Sequence, residues 1–367
     1  MTERTLTLRE LNRATLARQM LLDREKLPVL DAVERLVGLQ AQLPGPPFVG
    51  LWARLQDFRR DDLKRLMSER LVVRATLMRA TLHLMTAADY LLLRPALQPA
   101  LARSLQGSAG RRMQGLDVEE LVATVRAFFA HEPRAFAELR EVLSNLLPDR
   151  DPSALAYAVR THLPLVQVPS ANSTWGYSGR TPFTPAESWL GRPLAASQDP
   201  RRLFFRYLAA FGPAGVMDFH AWSGLTRTKG AIEALKPELR SFRDEKGNEL
   251  LDLPDAPRPP GDVPASARFV PDYDNLILSH SDRTRVISDE YRPRIFLSAA
   301  RVRATFLVDG FVRGAWKIEK SRRAATLVIE PFEPLADEDR DALTGEGERL
   351  LRFVADGAET VEVRFAQ

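Results

Sequence analysis

At Leu71 the hydrophobic period of the chain switches from that of a helix to that of a strand, and this switch constrains the fold more than any other feature. Upstream, TLRELNRATLARQM (residues 7–20) and PVLDAVERLVGLQ (28–40) carry apolar residues three and four apart, the second with Pro28 at a favoured first-turn position. RDDLKRLMSERL (60–71) reads as a third helix with Asp61 and Asp62 capping its start. Then LVVRATLMRATLHLMT (71–86) is rich in β-branched and apolar residues, with no helical stripe and no Gly or Pro. Three short helices followed by strands describe a winged helix.

The same order of elements returns twice, without repetition of letters. From residue 117, DVEELVATVRAFFA, AFAELREVLSNLL and SALAYAVRTH give three helices, and LPLVQVPSANSTWGYSGRTPFTPAESWL reads as a long wing hairpin. From residue 199, DPRRLFFRYLAAFG, GVMDFHAWSG and TKGAIEALKPEL lead to RSFRDEKGNELLDL, where Lys246-Gly247-Asn248 supplies turn chemistry. A Pro-rich linker, PDAPRPPGDVP (254–264), then separates a strand-rich remainder: ARFV, NLILSH, RIFLS, ATFLVDGFVRGAWKIEK, AATLVIEPF and ETVEVRF, with Asp309-Gly310 as a hairpin signal. The expectation is an α+β chain of three tandem winged helices (1–115, 116–198 and 199–257) and a C-terminal β-barrel (265–367), its acidic helix DEDRDALTGEGERLLRFVAD forming a solvated outer face.

Composition excludes several chemistries. The 367 residues exceed one core, and 45% hydrophobic with 27% charged residues reads as soluble and globular. No run of about 18 apolar residues appears and the N-terminus is polar, so a cytoplasmic protein with no membrane partner is expected. There is no cysteine, and the five histidines, His131 among them, have no paired ligand spacing. No metal or cofactor is expected, and no Walker loop, GxSxG or GxGxxG is present.

Charge is unevenly distributed. Residues 330–367 hold 11 Asp/Glu against 4 Arg, a local −7, so the first 329 residues carry +11 of the net +4. Only 7 of the 52 basic residues are Lys. Arg suits the bidentate clamping of phosphate, although coding bias in a GC-rich genome would give the same excess.

Four stretches carry candidate chemistry. In VGLQAQLPGPPF (37–48), Gln40 and Gln42 share one face only in extended chain, and Pro44, Pro46 and Pro47 end the helix near Gln40 so that both amides can converge on one ligand. Alone, the pair also reads as helix-end amides bound to backbone or water. In RATLMRATLHLM, alternation places Leu77, Arg79, Thr81 and His83 on one face and Arg74, Thr76, Met78 and Leu82 on the other. His83 there is either a phosphate ligand or a structural residue. NLILSHSDRTRVIS (275–288) reads as an apolar strand running into His280, Arg283 and Arg285, where Arg283 beside Asp282 is otherwise a surface ion pair. The tip SANSTWGYSGR offers Trp175, Tyr177 and Arg180 to a nucleic-acid groove or is an ordinary loop.

Taken in order, LQAQ, RATLMRATLHL, YDNLILSHSDRTRV and FLVDGFVRGAW resemble the motifs of the AlkZ/YcaQ winged-helix DNA glycosylases over about 300 residues. Gln40-Ala41-Gln42 matches the Gln-apolar-Gln signature of the AlkZ-like branch; the YcaQ-like branch has Asp at the third position. The resemblance implies a monofunctional enzyme that excises cationic N7-alkylguanine, including bulky genotoxin adducts and interstrand crosslinks, in DNA repair or toxin self-resistance. It further implies catalysis by Gln40 and Gln42 in a C-shaped, basic, concave surface of a monomeric, nucleoid-associated protein. Arg74, Arg79, Arg180, Arg283, Arg285, Arg313 and Lys317 are the expected contacts to double-stranded DNA. The rival expectation is a non-catalytic winged-helix binder, either a transcription regulator or an adduct-sequestering protein.

Overall fold

The computed structural model describes residues 4–129, 132–298, 300–321 and 323–366; His131 lies outside them. The chain opens with α1 (Leu8–Arg18), α2 (Val29–Arg35), β1 (Leu39–Gln40), α3 (Pro46–Arg54), α4 (Arg60–Ser68), β2 (Val72–Thr76) and β3 (Leu82–Thr86). Then come α5 (Ala87–Leu93), α6 (Gln98–Ala109), α7 (Val118–Arg126), α8 (Phe136–Leu146), α9 (Pro152–His162), β4 (Leu165–Gln167), β5 (Phe183–Pro185) and α10 (Ala186–Leu190). A third group has α11 (Arg201–Phe211), α12 (Val216–Ser223), α13 (Lys229–Glu233), β6 (Arg240–Arg243) and β7 (Glu249–Asp252). The remainder is β8 (Arg268–Val270), α14 (Asn275–Leu278), α15 (Arg292–Ile295), β9 (Thr305–Val308), β10 (Phe311–Lys320), β11 (Ala324–Pro331), α16 (Asp337–Val354) and β12 (Thr360–Phe365).

Local chemistry sets several of these ends. Thr7 and Glu10 form a capping box on α1, and Asp117 and Asp151 accept first-turn N–H groups of α7 and α9. Asp61 and Asp62 lie inside the first turn of α4 rather than at its cap; the cap position is Arg59, whose N–H donates to Asp62. The hydrophobic period places β2 and β3 as an antiparallel hairpin, Arg74 opposite Leu84 and Ala75 opposite His83. The second hairpin does not stand apart: β4 pairs with β2, giving one sheet of order β1-β3-β2-β4-β5. The third, β6-β7, is separate.

The largest apolar core joins the opening helices to the C-terminal sheet, packing Leu16, Phe48 and Trp52 in one cluster with Phe269, Phe306 and Leu327. A second packs Val73 and Met85 against Phe204, Tyr207 and Trp222, and a third lies among α6 to α9. Helix α1 is also bolted by buried polar contacts. Arg18 donates to both carboxylate oxygens of Asp252 at 2.7 and 2.8 Å, and Asn12 Nδ2 donates to the Arg285 and Gly310 carbonyls at 2.7 and 2.8 Å. A Cβ on Gly310 would stand 2.5 Å from Leu16, so the Asp309-Gly310 turn both reverses the chain and fits against α1.

Several expectations are corrected. The helix read over 28–40 stops at Arg35, and Pro46-Pro47 begin α3, a helix the sequence reading missed, because proline is tolerated in the first turn. Residues 71–86 are two strands around a tip at 77–81, so strand alternation does not run through Arg79. NLILSH is not a strand: residues 275–278 are the short, buried α14, capped by Asp274, and residues 292–295 are also helical. A short apolar run does not distinguish buried helix from buried strand. Among the described residues the C-terminal sheet is open, of order β12-β11-β10-β9-β8, with no pairing of β12 to β8 and hence no closed barrel. Helix α16 connects β11 to the parallel β12 and buries Leu343, Leu350, Leu351 and Val354, so only its other face is solvated. No helix among the described residues is long and apolar enough to cross a membrane.

Candidate active site

After α2 the chain turns through two left-handed residues, Val37 (φ 52°) and Gly38 (φ 86°). A Cβ on Gly38 would lie 2.7 Å from the Leu84 carbonyl, so only glycine lets β1 come this close to β3. Leu39 then pairs with Leu84 and Gln40 with His83, and the Ala41 N–H continues the ladder to the Leu82 carbonyl at 2.7 Å. Gln40 closes β1, and Gln42, two residues on, lies at the bend that follows it.

Both amides are anchored to the β2–β3 hairpin, yet in different surroundings. Gln40 is 6% exposed, and its Oε1 accepts from Arg79 Nη2 at 2.6 Å. Gln42 is exposed, and its Oε1 accepts from the Leu82 N–H at 3.3 Å. Arg79 sits at the hairpin tip with φ 55°, a left-handed conformation that costs energy in a non-glycine residue. It also donates to the Trp222 carbonyl and, at 3.3 Å, to Asn275 Oδ1. Asn275 in turn donates to the Gly38 carbonyl at 3.2 Å, closing a ring of contacts around Gln40.

Arg74 supports the same segment from below. Its guanidinium donates to the Ala41 carbonyl at 2.8 and 2.6 Å, to the Gln42 carbonyl at 3.2 Å, and to Gln167 Oε1. The Tyr177 ring lies 5.1 Å from it, and Trp175 packs on Phe48 at 5.1 Å and beside Gly45. The second hairpin loop thus braces the loop that follows Gln42. Burial lowers Arg74 and Arg79 to about 10, with the Arg283 charge adding to the effect on Arg79; both remain cationic at neutral pH.

The remaining expected contacts differ in burial and pairing. His83 and His280 are buried, and desolvation first, then the neighbouring Arg79 or Arg285 charge, lowers each to about 3. Both are neutral, with His83 Nδ1 donating to the Thr81 carbonyl at 3.1 Å and His280 Nε2 contacting the Phe211 carbonyl at 3.0 Å. Arg285 is buried on the Pro213 carbonyl, and Tyr177 is 3% exposed. Arg283 is half-buried, donates to the Ile277 carbonyl and stacks 4.7 Å from Phe296. Arg313 and Lys317 pair with Glu333 and Glu319 at 2.6 Å. Arg180 alone of the expected cations is exposed with no ion pair to a described residue.

Sequence reading missed Asn275 and its neighbours. Asp274 forms a fully buried bidentate pair with Arg54 at 2.8 and 2.9 Å, and Arg54 reaches Gln19 Oε1 at 3.3 Å. With Asp272 these groups and Gln40 line a crevice of about 10 Å³. A basic pocket of about 440 Å³ was missed as well; Arg59, Arg60, Lys64 and Arg352 line it near Trp175. Only the order YDN in the sequence hinted at the first, and nothing short of the fold reveals the second.

The family described as DNA glycosylase AlkZ-like matches residues 33–353, and the chain belongs to it. An interstrand DNA cross-link repair glycosylase of Streptomyces sahachiroi is 24% identical over 343 residues, 86% of this chain and 88% of that protein. The structure of the S. sahachiroi DNA glycosylase AlkZ superposes with a TM-score of 0.79 at 21% identity, covering 99% of this chain and 100% of that one, which shows the fold. The protein is a DNA glycosylase.

Proposed function

We propose that the enzyme hydrolyses the N-glycosidic bond of cationic N7-alkylguanine in double-stranded DNA, bulky adducts and interstrand crosslinks included, with Gln40 and Gln42 as catalytic residues. The observation that carries this reading is the pair of uncharged amides two residues apart, both anchored on the β2–β3 hairpin, one by Arg79 and the other by the Leu82 N–H. Excision of an ordinary base calls for an acid to protonate the leaving group and an anion to stabilise the sugar cation. Alkylation at N7 has already made the guanine a cation, so the leaving group needs no proton. What remains is to position a water at C1′ and to offer the developing charge fixed dipoles. An amide oxygen has two lone pairs, and the one left free beside each anchoring donor is available for that.

Crosslinks suit an open concave surface built from winged-helix units and the C-terminal sheet, since a guanine tied to both strands cannot swing fully into a pocket. Phosphates would be held by exposed cations such as Arg180 and Arg59, giving sequence-tolerant, salt-sensitive binding. We place the enzyme in the cytoplasm at the nucleoid, acting as a monomer in repair or in self-resistance to an alkylating toxin, without strand cleavage.

The test is direct. Duplex DNA carrying N7-methylguanine is incubated with the wild type, Gln40→Ala and Gln42→Ala, and free base and abasic sites are measured. Each substitution is expected to slow release on the order of 100-fold. Tight binding of the adduct with no release by the wild type would instead make the protein a sequestering binder.

A further inference from the structure

The reaction proposed above leaves one proton unassigned. When water attacks C1′, its oxygen forms the new C–O bond and the C1′–N9 bond breaks. The bonding pair goes to the base and neutralises its charge. One water proton must then leave, and a glutamine amide is far too weak a base to take it. The cations near the glutamines make the need greater. Arg79 touches Gln40, and Arg283 is close enough to Arg79 to depress it.

The crevice behind Gln40 contains the missing group. It is walled by Gln19, by Gly38 to Gln40, by Pro46, Pro47 and Arg54 of α3, and by residues 271–275. At about 10 Å³ it has room for a single water among polar partners. Of its charged groups, Arg54 and Asp274 neutralise each other across two short hydrogen bonds. Asp272 has no ion pair with a described residue; it accepts a long 3.3 Å hydrogen bond from the Ala304 N–H and another from its own backbone N–H. The neighbouring Tyr273 is left-handed at φ 61°, a costly conformation for an aromatic residue that fixes the turn presenting the carboxylate.

Resting on the reading of the enzyme as an N7-alkylguanine glycosylase, we propose that Asp272 is the general base that accepts the proton of the attacking water held between it and Gln40. Arg54 and Asp274 share the crevice walls with it, and Arg301 and Arg303 from the segment before β9 are the charges that act on its carboxyl. Burial raises the Asp272 carboxyl above its ordinary value, against the smaller opposing effects of the Ala304 N–H, its own backbone N–H and the two arginines, which makes it a better proton acceptor.

The experiment is the pH dependence of single-turnover N7-methylguanine release by the wild type and by Asp272→Asn, with duplex binding and thermal midpoint measured alongside. The wild-type rate is expected to fall as pH drops through the raised carboxyl value. Asp272→Asn should be slower at neutral pH on the order of 100-fold and should lack that acidic limb, with duplex binding unchanged. Full activity and an unchanged limb in Asp272→Asn would overturn the proposal. So would a wild-type profile with no acidic limb, which decides the matter even if the variant does not fold. If the wild type releases no base at all, the functional reading falls, and this inference with it; loss confined to Asp272→Asn separates the two.

Discussion

At the scale of single residues, the two glutamines differ in what their removal should do. Gln42 is exposed and accepts one long hydrogen bond, so Gln42→Ala should leave the thermal midpoint nearly unchanged while slowing base release. Gln40 is buried on the Arg79 guanidinium, and Gln40→Ala strands a charged donor, at a cost of about 1–3 kcal/mol in unfolding free energy. Denaturant unfolding of the two variants checks this; equal stabilities would contradict it. The buried histidines make a separate prediction. His83 and His280 stay neutral down to pH about 3, whereas imidazole in the unfolded chain protonates near 6.5. The unfolded state therefore binds more protons below pH 6.5, and the stability these groups confer is complete above that value and lost as pH falls from 6.5 toward 3. The urea midpoint should already drop between pH 6.5 and 5, where ordinary carboxylates do not yet titrate; a flat midpoint would refute it.

At the scale of elements, the approach of β1 to β3 positions the glutamines, and Gly38 permits it. Gly38→Ala imposes left-handed strain of about 1–2 kcal/mol and a clash at the Leu84 carbonyl. It should lower both stability and base release although it touches no substrate; normal release by a folded Gly38→Ala would show that the register of β1 is immaterial. Gly38 also illustrates how far the sequence could be read. The spacing of LQAQ before three prolines suggested an extended pair of amides; Gln40 is in a strand and Gln42 at the bend after it, and the helix was carried too far because a short helix and a two-residue strand share one apolar run. The hairpin at 71–86 was legible from its β-branched residues. Its tip was not, because Arg79 and Ala80 adopt left-handed angles that no residue type there announces. NLILSH reads as strand to any periodicity argument, since every apolar position of a buried single-turn helix is covered. The α16 helix and the Asp309-Gly310 turn were legible, but not the apolar face that α16 buries, and closure of the sheet depends on pairings that local sequence does not encode.

At the scale of the whole molecule, function and architecture meet in the way distant segments converge on Gln40. The hairpin tip supplies Arg79, the C-terminal region supplies Asn275 and Asp272, and the second hairpin braces Arg74 with Gln167 and Tyr177. Such convergence hid most cationic candidates from sequence reading. Arg74, Arg79 and Arg285 spend their donors on backbone carbonyls within the protein, and a formal charge count cannot tell such an arginine from one that meets phosphate. The account's central claim is that substrate charge supplies the activation that the amides lack. It is tested most directly by comparing single-turnover release of N7-methylguanine with that of 8-oxoguanine, a neutral lesion, from the same duplex sequence. The cationic base should be released and the neutral one retained; comparable rates for both would contradict the account.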